Sequence, residues 1–77
     1  MKKLTAAEEE VMQILWNLEK GFIKDILELM PDPKPPYTTV LSVIRVLEKK
    51  AFISHTQYGN TYEYYPLVQK EDYAGEH

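Results

Sequence analysis

A mainly α fold with one small β-hairpin is what this chain of 77 residues predicts, and three observations carry the prediction. Residues 37–50 repeat apolar side chains at helical spacing. Residues 6–18 do the same behind a helix-start signature. Residues 52–65 then switch to β-branched and aromatic side chains, with Gly59-Asn60 between two such runs. A chain this short forms one domain, and its 44% hydrophobic content supplies a modest core.

The first helix is expected over about Ala6 to Leu18. Thr5-Ala6-Ala7-Glu8 has the form of a capping box, with Thr5 as the cap and Glu8 reaching back. Glu8, Glu9 and Glu10 sit in the first turns, where the helix dipole favours negative charge. Leu4, Ala7, Val11, Ile14, Leu15 and Leu18 form its apolar stripe, and Met12 and Trp16 widen it. Trp16 is expected in the core. Gly21 is read as ending this helix or the loop after it.

A second helix covers about Ile23 to Met30, with Ile23, Ile26, Leu27 and Met30 on one side. Lys24, Asp25 and Glu28 read as solvent-side charges. Phe22 is a single extended residue able to pair with a later strand. Pro31-Asp32-Pro33-Lys34-Pro35-Pro36 holds four prolines in six residues, a stiff connector that excludes helix.

The third helix follows Pro36, with Thr38 or Thr39 available to cap its first turn. Val40, Val43, Ile44 and Leu47 share a buried stripe, and the opposite face carries Thr38, Ser42, Arg45 and Lys49. Small hydroxyl residues let a helix sit deep in a groove, and cations reach bases or phosphates. This face is therefore a candidate for reading double-stranded DNA. The hairpin joins Phe52–Tyr58 to Thr61–Tyr65, Pro66 stops it, and Lys70-Glu71-Asp72-Tyr73 opens a further helix. Its tip offers Tyr58 and Asn60, with His55, Gln57 and Thr61, as hydrogen-bonding groups. Lys49 and Lys50 are expected to face phosphates.

Charge distribution supports that assignment. The net charge is −3. Residues 34–58 hold Lys34, Arg45, Lys49 and Lys50 against Glu48 alone, while the segments on either side are acidic. Other chemistries have little to stand on. Cysteine is absent, so there is no thiolate ligand or thiol nucleophile. His55 has no metal-spaced partner, and no glycine-rich phosphate loop exists among three scattered glycines. The reading is of a non-enzyme with no catalytic residues, no metal and no cofactor. No apolar run reaches membrane length and the N-terminus lacks a signal-peptide core, so a cytoplasmic protein is expected.

Helix, helix, connector, helix, hairpin is the order of a winged helix-turn-helix: a three-helix core plus a wing, α+β in class. The same residues resemble the BlaI/MecI/CopY repressor family. Tyr37-Thr38-Thr39-Val40-Leu41-Ser42-Val43-Ile44-Arg45, then Leu47-Glu48-Lys49-Lys50, is similar to that family's third helix. Val11-Met12-Gln13-Ile14-Leu15-Trp16 is similar to its first helix, and Tyr62-Glu63-Tyr64-Tyr65-Pro66-Leu67-Val68 to its wing exit strand. The resemblance implies a homodimeric bacterial repressor that binds a palindromic operator. It places Thr38, Thr39, Ser42 and Val46 where the family's third helix meets DNA. It divides the chain into a DNA-binding domain, residues 1–68, and the start of a C-terminal helix, residues 69–77, leading to a dimerisation region outside this sequence. The 77-residue chain alone is then expected to be mainly monomeric.

The departures from the family pattern are specific. Val46 stands where many members carry arginine, and could touch a thymine methyl or lie against sugar. Ala51 stands where glycine is usual after the helix, at a cost of about 1 kcal/mol if that position needs positive φ. Glu9 replaces a common aromatic or leucine. The competing function is a winged helix used for protein contact, in which the exposed face of residues 38–49 binds another protein.

Overall fold

The computed structural model describes residues 3–74. Its order is α1 (Ala6–Leu18), β1 (Gly21–Phe22), α2 (Ile23–Glu28), α3 (Tyr37–Lys49), β2 (Ile53–Tyr58), β3 (Thr61–Pro66) and α4 (Lys70–Ala74). The three strands form one antiparallel sheet in the order β1-β3-β2.

The start of α1 is fixed by a complete capping box. Glu8 N donates to Thr5 Oγ1 at 3.2 Å and Thr5 N donates to Glu8 Oε1 at 2.9 Å. Leu4, Val11, Met12, Ile14 and Leu15 are buried, as their spacing requires. Ala7 is exposed, and Glu8 takes a buried place beside the stripe instead. Glu8 is tolerated there because Lys50 Nζ reaches its Oε1 at 2.9 Å. Lys50 therefore turns toward α1, which corrects the expectation that it faces phosphates alongside Lys49. Trp16 is half-buried against the core, and its indole N–H donates to Val68 O at 2.8 Å.

Of the two readings of Gly21, the second holds: it ends the two-residue loop after the helix, not the helix itself. The turn that closes the helix is made by Glu19, whose φ is 73°, and Gly21 lies in β1 with negative φ. Its smallness serves close approach: a Cβ there would meet Leu18 Cδ1 at 3.0 Å and Asp25 Cβ at 3.6 Å. β1 pairs Gly21 with Tyr64 and Phe22 with Glu63, so the extended residue expected at Phe22 is found with one more beside it. α2 stops at Glu28, short of Met30, because Leu29 and Met30 N–H close tighter bonds to Ile26 and Leu27 O at 3.1 Å each. Asp25 has more than a solvent-side role, since Phe22 N donates to its Oδ2 at 3.1 Å. Lys34 Nζ in the connector caps the other end, donating to Glu28 O at 2.8 Å and Met30 O at 3.0 Å.

α3 begins directly after Pro36, which is its N-cap. Neither threonine caps it, because Thr38 and Thr39 already lie inside the first turn; Thr39 and Val40 N–H donate to Pro36 O instead. Val40, Ile44 and Leu47 are buried and Val43 packs against the core at its edge. The helix ends in a Schellman motif: Phe52 N donates to Leu47 O and Ala51 N to Glu48 O, both at 3.0 Å. Ala51 sits at the left-handed position with φ 65°, and the buried pair Phe52 and Leu47 closes the motif.

The hairpin pairs Tyr58 with Thr61 through Gly59-Asn60. Positive φ at Gly59 alone matches the glycine-first two-residue turn. Pro66 is the last residue of β3 and pairs with Ile53 rather than lying beyond the strand. One face of the ribbon carries Ile53, His55 and Gln57 with their partners Tyr64 and Tyr62; the other carries Ser54, Thr56 and Tyr58 with Thr61 and Glu63. Ile53 and Tyr64 on the first face join the core, so that face lies toward the helices. α4 is tied to α1 by Tyr73, whose ring lies 5.9 Å from Trp16 and whose hydroxyl donates to Glu9 Oε2 at 3.1 Å. Glu9 thus has a partner of its own in this chain.

Candidate nucleic-acid interface

All eight residues singled out from the sequence are exposed: Thr38, Thr39, Ser42, Arg45, Val46 and Lys49 on α3, and Tyr58 and Asn60 at the hairpin tip. α3 divides into strips along its length. Val40, Ile44 and Leu47 anchor it from below. Thr38, Ser42, Arg45 and Lys49 run along its outer ridge, since about 100° per residue brings these positions into line. Thr39 and Val46 lie on one flank of that ridge. Tyr37, Leu41 and Glu48 lie on the other flank, facing the wing across a cleft of about 630 Å³.

That cleft is where sequence reading fell short. Besides α3 it is lined by Lys24 from the first turn of α2 and by Asn60, Tyr62 and Tyr64 from the hairpin. Lys24, Tyr37 and Tyr62 had no assigned role, because each looks ordinary within its own element and only tertiary packing gathers them. Tyr58 is displaced from this group: strand alternation puts it on the outer face of the wing, where its ring meets Phe22 edge-on at 6.3 Å. The wing tyrosines on the cleft side are Tyr62, 41% exposed, and the buried Tyr64.

The wing is held at a fixed distance from α3. His55 Nδ1 meets Glu48 Oε2, and the imidazole stacks on Tyr62 with ring centroids 4.4 Å apart. Tyr64 lies edge-on to the same imidazole at 5.7 Å. Burial, and then the Glu48 carboxylate, push the Tyr64 phenol above its ordinary pKa. Two of the proposed tip donors are used locally: Gln57 Nε2 donates to Gly59 O at 3.0 Å and Thr61 Oγ1 to Tyr58 O at 2.9 Å. Neither Arg45, Lys49 nor Lys24 enters a salt bridge among the described residues, whereas Lys50 does and Lys34 caps α2. Arg45 and Lys49 thus stand on the ridge and Lys24 at the cleft opening, while Lys20 and Lys70 lie elsewhere on the surface. No group of histidine, cysteine and carboxylate side chains able to hold a metal occurs among the described residues.

Three helices supporting a two-stranded wing, with the third helix outermost, define a winged-helix domain. Comparisons with known proteins give the same class. The solved DNA-binding domain of the repressor BlaI superposes with a TM-score of 0.79, covering 95% of this chain and 94% of that one at 27% identity. The CopR repressor superposes with a TM-score of 0.71 at 26% identity, covering 88% of this chain and all of that one. Methicillin resistance regulatory protein MecI of Staphylococcus aureus is 32% identical over 73 residues, 91% of this chain. The same-named protein of Staphylococcus epidermidis matches equally. The profile of the penicillinase repressor family matches residues 4–77. The chain belongs to the penicillinase repressor family, whose matched members are regulators rather than enzymes. It spans 58% of the length of the curated relatives it matches.

Proposed function

We propose that this domain binds double-stranded DNA sequence-specifically as the reading head of a bacterial transcriptional repressor. In this reading α3 lies in the major groove and the wing lies against the adjoining backbone. The observation that carries it is the outer ridge of α3. Thr38, Ser42, Arg45 and Lys49 project from a helix whose underside is locked into the core, so the ridge is both presented and rigid. The likeness to the DNA-binding domain of the repressor BlaI supports the same conclusion.

Within this reading, Ser42 and the two threonines meet base edges or sugars, Val46 offers an apolar contact, and Arg45 and Lys49 meet phosphates or guanine. Asn60 and Tyr58 touch backbone from the wing tip. The working form is a homodimer on a palindromic operator, residues 1–68 forming the reading domain and residues 69–77 leading to the dimerisation region. A cytoplasmic location follows from such a role, and no helix among the described residues is long and apolar enough to cross a membrane.

The test is selection of bound duplexes from a random pool, followed by a salt titration of the winner. Enrichment of one motif, with affinity falling steeply as salt rises, is the expected result. Absence of enrichment would favour the protein-contact use of the same face.

A further inference from the structure

We propose that Glu48 and His55 act as positioning residues for DNA binding by forming a proton-dependent strut: the imidazolium clamps the wing to α3, and the neutral ring lets the wing tip move away from it. The inference rests on the DNA-binding reading and adds to it two residues that touch no DNA and a response to pH.

The first support is where the strut stands. β2 follows α3 through Lys50-Ala51-Phe52, and Phe52, Ile53 and Tyr64 fasten the base of the ribbon in the core. From Thr56 to Tyr62 every residue is exposed. His55 lies at the boundary between these two parts, and its Nδ1 meets Glu48 Oε2 in the last turn of α3. Among the described residues this is the one side-chain hydrogen bond that joins α3 to the hairpin. On the opposite face the wing is steadied by Tyr58 edge-on to Phe22, which leaves the spacing across the cleft to the strut.

The second support is charge. The groups gathered around the imidazole and the adjoining Tyr64 are Glu48, Arg45 and Tyr37 from α3 and Tyr62 from β3, with Lys24 of α2 at the cleft opening. Burial holds the Tyr64 phenol above its ordinary pKa, so that ring stays neutral at neutral pH. Of these side-chain types, only imidazole changes charge between about pH 5 and 8. An imidazolium on a carboxylate makes a charge-assisted hydrogen bond, about twice as strong as a neutral one. The two side chains are 35% and 27% exposed, so salt and water screen the pair only in part. Loss of the proton removes the assistance, and sets two lone pairs face to face whenever Nδ1 is the bare nitrogen. Duplex affinity therefore falls as pH rises through the imidazole range.

The experiment uses His77→Gln, which leaves His55 as the single imidazole of the chain. The sequence has no cysteine, so Gln13→Cys on α1 and Asn60→Cys at the wing tip take spin labels at those two places only. Without DNA, the label-to-label distance distribution should be narrow at about pH 5.5 and broad at about pH 8. In Glu48→Gln, and separately in His55→Gln, it should be broad at both. The unlabelled protein should bind its selected duplex several-fold more tightly at the lower pH, and Glu48→Gln should flatten that profile. A pH-independent distance with Glu48 and His55 intact would overturn the strut and leave the DNA-binding reading standing. An affinity profile equally steep in Glu48→Gln would also overturn it, since that pattern belongs to an imidazolium touching phosphate directly. Absence of salt-dependent duplex binding at either pH would overturn both.

Discussion

At the scale of single residues, two side chains stand where ordinary preference would put something else. Ala51 occupies the left-handed position of the Schellman motif after α3, at φ 65°. A Cβ there is crowded by backbone in a way glycine avoids. Ala51 is exposed and nothing in the core depends on its methyl group. Ala51→Gly is therefore expected to stabilise the domain by about 1 kcal/mol, seen as a higher urea midpoint with unchanged slope. The second is Glu8, buried but charged. Its hydrogen bond from Lys50, and then that from the Thr5 backbone, hold its carboxyl below the usual value of 4.5. A proton therefore binds the unfolded chain more readily than the folded one. The stability Glu8 contributes is complete above about pH 4.5 and is lost as pH falls through the depressed folded value. Glu8→Gln should melt with a flatter dependence on acid pH than wild type; parallel curves would contradict this account.

At the scale of elements, α3 is where sequence and function meet most directly. Arg45→Ala should weaken duplex binding several-fold and lower the salt slope, measured by fluorescence anisotropy across a salt series. Ser42→Ala should change which sequences are preferred more than it changes overall affinity, read from selection on a random pool. These two outcomes separate phosphate contact from base contact on one ridge. The ridge was legible in the sequence because helical periodicity is local: once Val40, Ile44 and Leu47 point inward, Ser42 and Arg45 have only one way to face. The capping box of α1 and the hairpin turn at Gly59 were legible for the same reason, since their bonds close within a few residues. What the sequence did not disclose lies between elements. Lys50 sits one position after Lys49 and looks like its equal, yet one step around the helix carries it to Glu8, 42 residues earlier. Thr38 and Thr39 resemble caps in composition, but the proline ahead of Tyr37 had already set the start of the helix. Tyr62 and Tyr58 are indistinguishable in sequence, and the register of the hairpin alone assigns them to opposite faces.

At the scale of the whole molecule, the question is how much one winged helix can do by itself. The exposed large apolar side chains are Leu29, Tyr37, Val46, Tyr58, Tyr62 and Leu67. Three of these, Tyr37, Val46 and Tyr62, belong to α3 or its cleft, and Tyr58 packs edge-on to Phe22. α4 spends its one large aromatic on α1, through Tyr73 against Trp16 and the hydroxyl on Glu9. Only Leu29 and Leu67 of these described side chains lie away from α3, its cleft and the wing, whereas stable homodimers bury many apolar side chains together. The 77-residue chain is expected to sediment at its monomer mass of 9.0 kDa at micromolar concentration. A single domain with few phosphate contacts should then hold one half-site weakly. Fusing two copies through a flexible linker long enough to span two half-sites makes the second binding event intramolecular, and the gain follows from effective concentration rather than from new contacts. The tandem protein should bind a two-half-site duplex at least a hundredfold more tightly than the single domain. On a duplex with one half-site it should gain little. A tight dimer of the single chain by sedimentation, or an equal gain on the one-half-site duplex, would show instead that this surface self-associates without help from outside residues 1–77.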